Sequence, residues 1–384
     1  MGSLKYFDDP CIAELVSSRL GGGLDLRLFQ TFLRAPLGVP HDLDPFETMR
    51  REEDIVSAAK EGRFGAVKWL LRCMKEKPDD GDEDRILARI CCSAASGGHL
   101  EILKLAREND CLWCSDTCVQ AAKGGHTDVL KWAFENDCPC DEKETCIAAA
   151  TGGHIGVLEW AREKGFRWDK SACAAAASGG HLECLQWLRA NGCPWDYRTC
   201  TCAASRNRLL ILQWARANGC DWNELTCTFA AGNGHLECLK WARDNECPWD
   251  NLTCAWAARG GHLECLRWAR DNGCDTDEWT CAEAAENGHL EVLKWARDNG
   301  CPWDNFTCAW AARGGQLECL MWARDNGCPW DYRTCAEAAS NGHLECLKWA
   351  RDNGCPWDKL TCSWAASGGH WECLEWARAN GCPE

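Results

Sequence analysis

Around His262 the apolar residues gather on one side of a short helix. Leu263, Cys265, Leu266, Trp268 and Ala269 recur at helical spacing, while Glu264, Arg267, Arg270 and Asp271 form a solvated face. Asn272-Gly273 closes this helix, because glycine enters the left-handed region at least cost. Upstream, Asp250 is placed to cap a first helix by accepting the free N–H groups of its opening turn. Pro248 keeps the preceding stretch extended, and Gly260-Gly261 ends that first helix. The pattern therefore predicts helix, turn, helix, loop.

That pattern returns along the chain. With the His of Gly-His-Leu as marker, the copies stand at His99, His126, His154, His181, Arg208, His235, His262, His289, Gln316, His343 and His370. The interval is 27 residues, lengthened to 28 between His126 and His154. A divergent copy, SAAKEGRFGAVKWL, precedes them with Arg63 at the marker, 36 residues before His99. Residues 51–384 thus read as one repeated helix pair, an all-α helix-turn-helix solenoid of about twelve units.

From Ala257-Ala258 to Cys274 the copy resembles the second half of an ankyrin repeat, A-A-x-x-G-H-x-E-V-V-K-L-L-L-x-x-G-A. Ankyrin units run to about 33 residues. The missing residues fall where that family places its projecting β-hairpin, here shortened to Cys-Pro-Trp-Asp-x-x-Thr-Cys. The resemblance implies a shortened ankyrin-like repeat with the hairpin fingers reduced or absent. It also implies a protein-binding scaffold, without naming the partner.

Residues 1–50 are expected to form a helical N-terminal cap and linker. Two helices, Pro10 to Leu20 and Leu24 to Arg34, are split by Gly21-Gly22-Gly23, and Pro36, Pro40 and Pro45 follow. At the other end the last copy keeps the internal pattern of Trp371, Cys373, Leu374 and Trp376. A solenoid normally closes with a polar repeat, so either the natural chain continues, or this end docks on a partner or, end to end, on a second copy of itself.

Composition narrows the function. Acidic residues outnumber basic ones by 58 to 42, a net charge of −16, which argues against nucleic acid as partner. No apolar run reaches the length of a membrane span, and the charged start MGSLKYFDDP does not read as a secretory leader. The 33 cysteines are therefore expected as reduced thiols in the cytoplasm or nucleus. Most occupy three columns, eight residues before the marker (Cys254), three after it (Cys265) and twelve after it (Cys274). One reading makes each copy a Cys–His–Cys metal site, and hence the chain a thiol-rich metal-binding protein. Exchange among copies favours packing instead: Ile102, Val129 and Val292 replace one cysteine, and Arg208 and Gln316 replace the histidine. Any disulfide is expected between a late cysteine and the next early one, as in Cys247–Cys254 or Cys301–Cys308. The 24 tryptophans are expected mostly in the core, including the column from Trp69 to Trp376 six residues after the marker. The marker histidine is expected to bond backbone at the turn. No cofactor motif, nucleophile elbow or phosphate loop stands outside the repeat, so no enzyme is expected.

The copies disagree chiefly on the first helix, and a partner protein or peptide is expected to read those positions. The column six before the marker includes Phe229, Trp256, Glu283, Trp310, Glu337 and Trp364. Three residues later stand Arg259, Glu286 and Arg313, and after the cap stand Tyr197-Arg198, Trp279 and Tyr332-Arg333. By the resemblance these positions line a concave groove. Aromatic and arginine side chains are the usual anchors of protein interfaces.

Overall fold

A computed structural model describes residues 52–75, 83–114 and 116–383. The expected cap at 1–50 lies outside the described residues, as does the Trp69 side chain. All elements among the described residues are α-helices, 24 in number, in twelve consecutive pairs. The pair around His262 is Asn251–Arg259 followed by Leu263–Asp271. The pairs fall into two compact units, residues 1–193 and 194–384.

Most of the expected aspartate caps form, but Asp250, like Asn223, makes no side-chain bond to its first turn. Asp304 is extended, with φ −142°, and its carboxylate accepts the Phe306 N–H at 2.9 Å. Asp141, Asp169, Asp196, Asp331 and Asp358 act likewise on their own first turns. Asp277 makes no such bond, although its carboxylate takes the Asn251 side-chain amide at 2.5 Å, as that of Asp331 takes the Asn305 amide at 2.7 Å. The second glycine of the turn is left-handed, as at Gly261 with φ +74°. A methyl group there would also meet the His289 ring at 2.7 Å.

Marker histidines bond between copies, as His99, His126, His154, His235 and His289 do. The Nε2 of His289 bonds the Arg259 carbonyl at 3.0 Å, and that of His235 bonds the Ser205 carbonyl at 3.2 Å. These carbonyls end the preceding first helix and have no helical partner of their own. Burial, with His235 and His289 close by, lowers the His262 pKa below the ordinary histidine value. Below that ordinary value the unfolded chain takes up a proton that folded His262 refuses. Stability should therefore fall as pH drops through about 6.5. Denaturant titrations at pH 7.5 and 5.5 should show the loss, and His262→Gln should reduce it, since Gln316 occupies this place in another copy.

The first helices bury small residues, such as Thr253, Cys254, Ala255, Ala257 and Ala258. Within each unit, neighbouring first helices consequently pack closely, whereas neighbouring second helices barely touch. Each unit's stack therefore bends towards its first helices, which form the inner side. The second helix contributes Cys265, Leu266 and Ala269 to the core, and the leucine column Leu239, Leu266, Leu293 and Leu320 is fully buried. Full burial of each such leucine contributes about 2–3 kcal/mol.

The tryptophan column six after the marker departs from expectation. There Trp160 is buried, but Trp241, Trp268, Trp322 and Trp349 are half-buried. They stack edge-on against the loop tryptophan of the copy before, as Trp222–Trp241 at 5.9 Å and Trp303–Trp322 at 6.0 Å. An arginine covers the loop ring on its other side: Arg243 lies 4.5 Å from Trp249 and donates to the Cys247 carbonyl at 3.0 Å. The tryptophans thus seal the seams between second helices, while leucine fills the core. On the last helix, Trp371 is 62% exposed.

The cysteine columns are packing elements with specific partners. Most early thiols meet the late thiol of their own copy, as Cys227 with Cys247 and Cys308 with Cys328, whereas Cys146 has Phe166 in that place. The expected juxtaposition of Cys247 with Cys254 is thereby corrected, because the helix pair folds back and joins its own ends. The late thiol also donates to the carbonyl of its own copy's cap, Cys274 to Asp250 at 3.2 Å and Cys328 to Asp304 at 3.3 Å. A disulfide joins Cys92 to Cys114, and both lie outside the three columns. Cys92 stands where another copy has Ala255, and Cys114 where it has the cap Asp250. Among the described residues no three His, Cys, Asp or Glu side chains are grouped to hold a metal ion, so the metal-binding alternative gains no support.

Burial pushes the Cys265 thiol up to about 11 and, with Cys301 and Cys328 adding to the rise, the Cys281 thiol up to about 12. Thiolate is the reactive form. Among the described free thiols, half-buried Cys140, whose pKa a hydrogen bond from Cys118 lowers, should react most readily with a thiol-specific disulfide reagent in the native protein. Half-buried Cys202, whose pKa burial raises, should react more slowly. After denaturation without reductant every thiol except Cys92 and Cys114 should react. Rapid native labelling of the three columns would show that they are not packed as described.

Candidate protein-binding surface

The variable positions all belong to first helices of the second unit. Tyr197, Arg198, Trp279, Tyr332 and Arg333 occupy first turns, directly after their capping residues. Phe229, Trp256, Glu283, Trp310, Glu337 and Trp364 occupy the middles of successive first helices. Arg259, Glu286 and Arg313 lie in last turns. The neighbouring Cys and Ala-Ala positions turn inward and are buried, which leaves these side chains along the inner side of the stack.

The structure draws several of them together. Phe229 and Trp256 have ring centroids 5.0 Å apart, and Trp279 and Trp310 are 4.8 Å apart. Each contact spans two neighbouring first helices, so the rings help hold the stack. They nevertheless remain accessible: Trp279 is 43% exposed, and Trp256, Trp310 and Trp364 are half-buried. Arg313 pairs with Glu286 at 3.4 Å, and Arg198 with Asp196 at 3.1 Å. Ion pairs this exposed add little stability. Arg333 lies 5.1 Å from the Phe306 ring and 5.7 Å from that of Tyr332. Phe306, beside Asn305 in another of the variable places after the cap, is 39% exposed and shares this surface.

Glu283 is the exception in this row. It is only 9% exposed, and burial raises its pKa above the ordinary carboxylate value, with Arg259 opposing the rise. One oxygen lies 3.7 Å from the Arg259 guanidinium, whereas buried Oε2 has no hydrogen-bond partner. Arg259 in turn stands 5.7 Å from the Trp256 ring. Glu337, at the same position two copies on, is half-buried and its pKa is likewise raised by burial.

Residues 200–243 match the family model for ankyrin repeats in many copies. Among solved structures, the human ASB11 ankyrin repeat domain is similar, with 18% identity and a TM-score of 0.35 over 41% of this chain and 84% of that one. The pentatricopeptide repeat protein PPR10 in complex with an 18-nt psaJ RNA element is similar at 14% identity and a TM-score of 0.37, over 97% of this chain and 64% of that one. PPR10 from maize gives 14% identity and a TM-score of 0.34, over 98% and 64%. No curated protein matches the chain. Among the described residues no helix is long and apolar enough to cross a membrane.

Proposed function

We propose that this chain, whose residues 200–243 match the ankyrin-repeat model, is an ankyrin-like, non-catalytic scaffold that binds a partner protein or peptide on its inner first-helix surface. The observation that carries this reading is the contrast between columns. Core positions repeat almost unchanged, while one column, accessible except at Glu283, runs Phe229, Trp256, Glu283, Trp310, Glu337, Trp364. Packing alone would be served by one residue type throughout. Half-exposed aromatic rings beside arginines are the composition of interface anchors. The repeated His and Cys side chains already bond backbone groups and each other, which supports a structural role over catalysis. The net charge of −16 supports a protein over a polyphosphate, and the many buried free thiols support a reducing compartment, cytoplasm or nucleus.

Affinity capture with quantitative mass spectrometry tests the reading. The double variant Trp256→Ala/Trp310→Ala should lose partners that both wild type and Met321→Ala retain, because Met321 is exposed on a second helix. Equal recovery by all three proteins would exclude the inner surface.

A further inference from the structure

We infer that the inner surface reads two basic side chains of its partner, six residues apart on an extended polyproline-II segment, through Glu283 and Glu337. The inference rests on the binding surface proposed above and adds the partner's chemistry. Three observations carry it. Glu283 is 9% exposed, and its Oε2 is buried without a hydrogen-bond partner, a costly state for a carboxylate unless a donor arrives. The chain already places a guanidinium beside this group: Arg259 lies 3.7 Å from the other oxygen and 5.7 Å from the Trp256 ring. A carboxylate next to an indole face is thus a setting that accepts a cation, and buried Oε2 can take a second donor once a binding partner displaces the side chains that cover it. Glu337 then repeats the position two copies later, with Trp310 on the helix between.

The spacing selects the ligand's conformation. Packed helices lie about 8–10 Å apart, so the two carboxylates stand roughly 16–20 Å apart along the stack. A polyproline-II segment rises about 3.1 Å per residue with three residues per turn. Its positions i, i+3 and i+6 share one face and advance about 9 Å per turn. Basic residues at i and i+6 would meet Glu283 and Glu337, and an apolar residue at i+3 would meet Trp310. A β-strand would turn i+3 to the opposite face.

The test uses the full chain and fluorescein-labelled proline-rich peptides read by fluorescence anisotropy. One peptide carries Arg at i and i+6 with Leu at i+3. Two others move the second Arg to i+4 or i+8, and a fourth replaces both Arg by Ala. The i,i+6 peptide should bind roughly tenfold tighter than the displaced pairs, the size of one charge-assisted hydrogen bond gained or lost. Glu283→Gln and Glu337→Gln, which keep the shape and remove the charge, should each reduce that preference to about twofold or less. Because Glu337 is the less buried, its variant keeps the test valid even if Glu283→Gln perturbs folding. No preference for i,i+6, no binding at all, or a preference that survives Glu337→Gln overturns the inference. If Trp310→Ala abolishes peptide binding while both Gln variants leave it unchanged, the surface stands and the basic pair does not.

Discussion

Leu293→Ala should cost about 3–5 kcal/mol of stability, the upper range for a fully buried leucine. Leu293 is 0% exposed and lies on the second helix Leu290–Asp298, with Val292 and Ala296 beside it in the core. Its copy can collapse only against small residues on the first helix Glu278–Glu286, where Ala282, Ala284 and Ala285 are already packed. Little relaxation is available, so most of the cavity should persist. A repeat stack transmits stability through nearest neighbours, so the loss should weaken both adjoining copies and broaden the transition. Urea unfolding followed by circular dichroism measures it. Glu291→Ala, on the solvated face of the same helix, should change stability by less than about 0.5 kcal/mol. Similar losses in the two variants would mean that the leucine column is not the core.

Trp310→Ala should weaken binding of the captured partner by about 2 kcal/mol or more, the loss typical of a central aromatic anchor. Its effect on folding should be smaller. The indole is half-buried and its ring contact is with Trp279 at 4.8 Å, an arrangement worth about 0.5–1.5 kcal/mol beyond area burial. Cys308→Ala, two residues earlier, should do the reverse. Cys308 is 0% exposed and meets Cys328, so removing the sulfur should lower stability by about 1 kcal/mol and spare binding. Titration calorimetry and thermal unfolding on both variants separate the roles. A Trp310→Ala protein that unfolds early yet binds normally would assign that column to packing.

The helix pair, its aspartate cap and its glycine turn were legible because each is a local device. Asp304 bonds an N–H two residues on, and Gly261 needs only its own φ. The histidine's structural role was legible too, but its acceptor was not, since the Arg259 carbonyl belongs to the copy before that of His289. Thiol partners were misjudged for the same reason: seven residues separate Cys247 from Cys254, yet the fold brings Cys247 to Cys227. Tryptophan burial was misjudged because its position borders the apolar stripe of the second helix. Small residues draw the first helices together and leave the bulky rings to fill the diverging seams outside. Composition also made Glu283 and Glu337 equivalent. Their different exposure emerged only with the surrounding side chains in place.

Site-specific photocrosslinking most directly tests the inner surface as the binding surface. A benzophenone amino acid would replace Trp279, 43% exposed on a first helix, or Met321, 37% exposed on a second helix. The two sites differ little in exposure and belong to opposite sides of the stack. Irradiation with the captured partner should give a covalent adduct from position 279 and none from 321. An adduct from 321 alone would contradict the account and move the binding surface to the second helices.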